Sequence, residues 1–192
     1  MKNQILCISV ILFVGLSVAA QTTEKTVEKT RAYYKVIAEK AKLAETDDEQ
    51  GEYGDLVMNE LVVNKRNHQW RAVGIHQLTY KFFYKGGDSE AHMYPDQLVM
   101  VKVSRRESNR TYTEEYLYSE TGVLIFYFQK AENDDQVPAE RRVYFSGIKA
   151  IRVVEDAKTR DKLSVKDAAT VKEITAESTK IKGLFSQTLK FY

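Results

Sequence analysis

Cysteine is almost missing from this chain. Its single copy, Cys7, cannot form an intramolecular disulfide, because a bridge needs two thiols. Two prolines and nine glycines in 192 residues exclude a linker or low-complexity composition. Neither sign of charge dominates, with 29 Lys and Arg against 27 Asp and Glu, and the signs interleave, as in Arg105-Arg106-Glu107 and Glu140-Arg141-Arg142. A nucleic-acid partner is thereby excluded as an expectation, since such binding needs clustered cations against phosphates. Long apolar runs are missing too: the one from Ile5 to Leu16 falls short of the ~20 residues that span a bilayer.

What is present at the start is a three-part pattern. Lys2 precedes the apolar run, which is broken only by Ser9 and Gly15, and Ser17, Val18, Ala19 and Ala20 supply a small-residue end. This is the layout of a secretory signal peptide, with cleavage expected between Ala20 and Gln21. Lipid attachment would need a cysteine at the end of the signal, whereas Cys7 lies inside the apolar run. The expected mature chain is therefore unlipidated, free of disulfides and of membrane spans, and periplasmic or extracellular. Removing residues 1–20 from 192 leaves 172, and residues 21–192 suit one domain.

Between Thr22 and Glu45 there is no Gly or Pro, and Val27, Tyr34, Ile37, Ala41 and Ala44 recur at helical spacing. An acidic stretch containing Asp47, Asp48, Glu49, Glu52 and Asp55 follows. From Leu56 to Glu155 short runs rich in Val, Ile, Tyr and Phe alternate with turn residues, which is the strand signal. Strands are expected near 56–64, 69–76, 78–85, 97–105, 111–118, 122–130 and 141–155, the last a hairpin folded at Ser146-Gly147. The count is seven or eight, and short connections imply antiparallel neighbours. Ser164, three residues before Asp167, marks the N-cap of a second helix, and Gly183 its stop. The expected fold class is α+β, an antiparallel β-meander flanked by an N-terminal and a C-terminal helix. Leu56-Val57-Met58 and Leu98-Val99-Met100 stand 42 residues apart, as do Trp70 and Tyr112, and Tyr84 and Phe126, an echo that would suit two copies of a three-strand unit.

Chemical motifs are scarce. His68, His76 and His92 form no HExxH or close cluster, and on a straight strand His68 and His76 would be about 26 Å apart, so sharing a metal would need a sharp bend, as Gly74 could permit. Ser146 and Lys149 make the one Ser-x-x-Lys match, on a predicted turn where Ser and Gly serve as turn residues. The acidic stretch lacks the spacing of an EF-hand loop. No glycine-rich phosphate cradle occurs. No metal, cofactor or catalytic residue is expected.

Aromatics are the excess, with twelve tyrosines and eight phenylalanines. Tyr80, Phe82 and Tyr84 share one strand face, and Tyr112, Tyr116 and Tyr118 share another. Either these stripes form a face covered by the helices, or they form an open surface for stacking against a sugar ring or holding an apolar ligand. The segments Glu115–Phe128 (EYLYSETGVLIFYF) and Glu140–Lys149 (ERRVYFSGIK) resemble the paired hairpins of uncharacterised exported proteins of Gram-negative bacteria, a domain-of-unknown-function type. That resemblance implies export and an aromatic meander, and no site residues. The sequence therefore predicts a non-enzymatic binding protein for a glycan, a protein or another ligand, with the six aromatics as candidate surface. Two other classes are a lipid or lipoprotein carrier with a half-barrel cavity, and a hydrolase assembled from His76, Glu115 and Asp96. Oligomeric state is not legible.

Overall fold

The computed structural model describes residues 2–46, 55–72, 74–87, 90 and 93–191, with side chains described within these spans from residue 21 to 190. The side chains of residues 1–20, where the signal peptide was expected, of His92, and of Asp47, Asp48, Glu49 and Glu52 of the acidic stretch lie outside the described residues. In chain order the elements are helix α1 (Lys2–Glu45), strands β1 (Val57–Val63), β2 (Gln69–Trp70), β3 (Gly74–Gly86), β4 (Pro95–Glu107), β5 (Arg110–Tyr118), β6 (Leu124–Glu132), β7 (Glu140–Ser146), β8 (Lys149–Glu155) and β9 (Lys158–Arg160), then helix α2 (Val165–Thr188) and a 3-10 turn, Leu189–Phe191. All strand pairs are antiparallel, in the order β1-β3-β4-β5-β6-β7-β8-β9, with β2 also on β3. The architecture is the α+β meander expected, with two helices flanking one nine-stranded sheet.

Alternation along the strands assigns each helix its own face. Phe82 and Tyr84 of β3 pack with Val101, Tyr116, Tyr127 and Val143 against Ile174, Ile181 and Phe185 of α2. Phe83, between them, points the other way and packs with Met100, Leu117, Phe126 and Tyr144 against Val27, Ile37 and Ala41 of α1. Of the stripe read on α1, Val27, Ile37 and Ala41 are buried together with Thr30, and Tyr34 and Ala44 are partly buried. α1 is fastened at residue level by Glu24, which accepts from Arg152 Nη1 at 2.7 Å, and by Arg31, which donates to the Tyr144 hydroxyl at 3.2 Å. The side chain of Arg152 is also held by both carboxylate oxygens of Asp161, at 2.6 and 2.8 Å.

α2 begins as its sequence suggests. The Ser164 hydroxyl accepts from the Asp167 amide at 3.1 Å, and the Asp167 carboxylate accepts from the Ser164 amide at 2.9 Å, a reciprocal capping box. Its end differs: Gly183 is passed and the helix runs on to Thr188. The contacts of Phe185 with Phe82 and Tyr84 at 5.7 and 5.1 Å reward the extra turn.

Three further readings change. The expected strand 69–76 is two elements, because Gly74, at φ 72°, turns the chain so that Trp70 of β2 pairs back on β3. A ninth strand, Lys158–Arg160, was not anticipated. The 42-residue echo does not mark equivalent units, since β2 has two residues where its counterpart β5 has nine. A different recurrence is real. Val99, Ile125 and Ile151, 26 residues apart, each stand as an extra residue in a β-bulge, on β4, β6 and β8, and each packs on the α1 side. Bulges accentuate local twist, so a row of them coils the sheet along one line.

Candidate ligand-binding groove

The six aromatics do not lie on neighbouring strands. β4 separates β3 from β5, with Val101 facing both Phe82 and Tyr116 across the two ladders. Phe82, Tyr84, Tyr112, Tyr116 and Tyr118 are each at most 5% exposed, and only Tyr80 is half-buried. Their cover differs along the face. Phe82 and Tyr84 meet Phe185 of α2, and the Tyr118 hydroxyl lies 3.1 Å from Ser178 Oγ on the same helix. The Tyr84 hydroxyl donates to Asn59 Oδ1 at 2.9 Å.

Toward the β4–β5 turn, charged groups join the cover. Tyr116 donates to Glu114 at 2.7 Å and stands edge-on to Tyr127, and burial together with the Glu114 charge pushes its pKa up. Tyr112 lies under the Arg105 guanidinium, 4.4 Å from the ring centre, and donates to Asp134 at 2.5 Å. That bond raises the phenol and lowers the Asp134 carboxyl. Tyr80 stacks parallel on Phe82 at 6.0 Å and is only partly covered. The six side chains therefore do not form an open flat row.

The hydrolase residues are not brought together. His76 is near the start of β3, whereas Asp96 belongs to the start of β4, which pairs with the far end of β3. Glu115 points to the α1 side and accepts from the Tyr34 hydroxyl at 2.6 Å. The bend that would bring His68 toward His76 does exist, and Asn64 Nδ2 donates to the carbonyls of both. Among the described residues, no group of three His, Cys, Asp or Glu side chains is placed to hold a metal ion. Ser146 to Lys149 is a turn, with Gly147 at φ 56°.

What the structure does build is a groove where the β2–β3 and β4–β5 turns meet. It encloses about 610 Å³ and is lined by Trp70, His76, Glu107, Ser108, Asn109 and Arg110. The turn Ser108-Asn109 is tight, with Ser108 at φ 58° and its amide donating to the Ile75 carbonyl at 2.7 Å. Trp70 is 44% exposed, and its ring rests on the His76 imidazole at 5.2 Å between centres. Opposite His76 in the ladder is Glu107, whose Oε1 lies 3.9 Å from His76 Nδ1 and 3.5 Å from Arg105 Nη1. Arg110 reaches toward Asp134 at 3.8 Å and stays 43% exposed.

By register the aromatic face begins one ladder row beyond the groove. Arg105 stands opposite Leu78 on one side and Tyr112 on the other, and Tyr80 is two residues beyond Leu78. Of the six sequence candidates none lines the groove: Tyr112 is one ladder row away and Tyr80 two, while Phe82, Tyr84 and Tyr118 lie beneath α2. The arrangement offers one flat apolar ring beside a guanidinium donor, an amide and a carboxylate acceptor. Sequence reading passed over Trp70 because it placed residues 69–76 in one strand. The available signal was the chain's single tryptophan standing next to a glycine-marked turn.

No helix among the described residues is long and apolar enough to cross a membrane. No protein-family model, curated protein or solved structure matches the chain.

Proposed function

We propose that this chain is an exported, non-enzymatic binding protein whose Trp70 groove takes a saccharide. The observation that carries the reading is Trp70 itself. A large indole left 44% exposed, yet held in place by an imidazole and by the β2–β3 pairing, is a preformed stacking plane. Sugar rings present an apolar C–H face to such a plane and hydroxyls to Glu107, Asn109 and Arg110 around it. The export part rests on the signal pattern of Lys2, Ile5–Leu16 and Ser17–Ala20. Beneath α2 the face is filled, with Phe185 meeting Phe82 and Tyr84.

Because the chain has one tryptophan, its fluorescence reports directly on the groove. Titration with chito-, malto- and cello-oligosaccharides should give a saturable emission change for one class. Arg110→Ala and Glu107→Gln should weaken it without altering the far-UV circular dichroism. No saturable change with any of the three classes overturns the saccharide reading.

A further inference from the structure

The two outer edges of the sheet are built differently. β9 is three residues long, Lys158–Arg160, and carries a cation at each end, which makes it a poor template for another strand. β1 is seven residues long, pairs with β3 without a register shift, contains no proline and has one charge, Glu60. Among the described residues no strand pairs with its outer side. β2 prolongs the same edge, and Val57, 44% exposed, adds uncovered apolar surface to it.

We propose that β1 is the docking edge for a second copy of this chain, the two β1 strands pairing antiparallel with Leu61 opposite Leu61. The proposal is independent of the saccharide reading. A two-fold axis through the joined sheets and perpendicular to them keeps both copies of α1 on one face and both of α2 on the other. Residues facing across such a joint must share a sheet face, so only registers that differ by two residues are possible. The central one sets Glu60 against Glu60, and like charges directly opposite are unfavourable. One step along, Leu61 faces Leu61, Asn59 faces Val63, and Glu60 faces Val62.

Charge at the ends of the strand agrees with this pairing. Asp55 precedes β1, pairs with Lys40 of α1 and keeps most of its side chain exposed, while Lys65 and Arg66, both exposed, follow the strand. An antiparallel joint brings the acidic start of each copy beside the basic end of the other, twice over. A parallel joint would set like charges side by side.

The test is sedimentation of the full chain together with site-directed cross-linking in a Cys7→Ser background, where any added cysteine is the only one. A concentration-dependent dimer is expected, and Leu61→Cys should give a covalent dimer under mild oxidant. Ser104→Cys, at an exposed position on β4, should not. Leu61→Lys sets two cations face to face across the joint and should raise the dimer dissociation constant by about tenfold or more. A chain that stays monomeric across the concentration range overturns the proposal. So does a dimer that cross-links equally at Leu61 and Ser104, because it would use another surface.

Discussion

The α2 side of the sheet has two halves made from the same strands and the same kinds of residue, and they end in opposite states. Under the helix, Phe82, Tyr84 and Tyr118 close against Phe185 and Ser178. Toward the β4–β5 turn, Tyr112 and Tyr116 are closed by Arg105, Asp134 and Glu114, while Trp70 stays exposed and His76 and Tyr80 are partly covered. Aromatic alternation therefore identifies a face, whereas the path of one helix decides which part of it meets water. The open half is polar for the same reason, because strand residues beyond the reach of α2 must satisfy their neighbours with charges.

The largest expected effect breaks the covered half. Phe185→Ala removes the ring that meets both Phe82 and Tyr84 and should destabilise the protein by about 3–5 kcal/mol. Thermal unfolding checks this, and a loss below ~1 kcal/mol would mean that α2 is not a structural lid.

The next concerns how α2 is held over its half. Asp167 accepts from Arg160 at 2.7 and 3.1 Å and from the Ser164 amide and hydroxyl, and these bonds, the Arg160 one foremost, hold its carboxyl well below the usual range. A carboxylate depressed in the folded state adds stability that is complete above its unfolded pKa and disappears as pH falls toward the folded one. Asp167→Asn should therefore cost about 1–2 kcal/mol at neutral pH by weakening the cap. The difference from the parent chain should shrink in acid, as urea unfolding at pH 7 and pH 3 would show. A difference that does not change with pH would remove the charge from the explanation.

The smallest effect on stability belongs to the open half and sharpens the contrast. Trp70→Ala should change unfolding free energy by no more than about 0.5 kcal/mol, since the side chain is half in water on a two-residue strand. Yet it should abolish saccharide capture, measured by retention on an oligosaccharide column. A large destabilisation would make the indole a structural plug.

Much of the fold could be read from residue order. Strand alternation and the turn residues located β3 to β8 to within a few positions, and Ser164 with Asp167 announced α2. Gly183 misled, because tertiary contacts at Phe185 outweigh a single unfavourable propensity. The site was less legible. Exposure of Tyr80 against burial of Phe82 depends on where α2 crosses, which no local pattern encodes. Trp70 meets His76 only because Gly74 reverses the chain. The bulges at Val99, Ile125 and Ile151 left no sequence mark, since each is an ordinary β-branched residue within a run of apolar ones.

The anchorage of α1 carries a consequence in time. Every strand pairs with a partner close in the chain, so the meander can assemble hairpin by hairpin as the polypeptide emerges. Glu24, however, is bound to Arg152, 128 positions later. The packing of Ile37 and Ala41 on Phe83, Met100 and Leu117 can therefore form early, whereas the Glu24 end of the helix is fastened only once β8 has been made, against the order of synthesis.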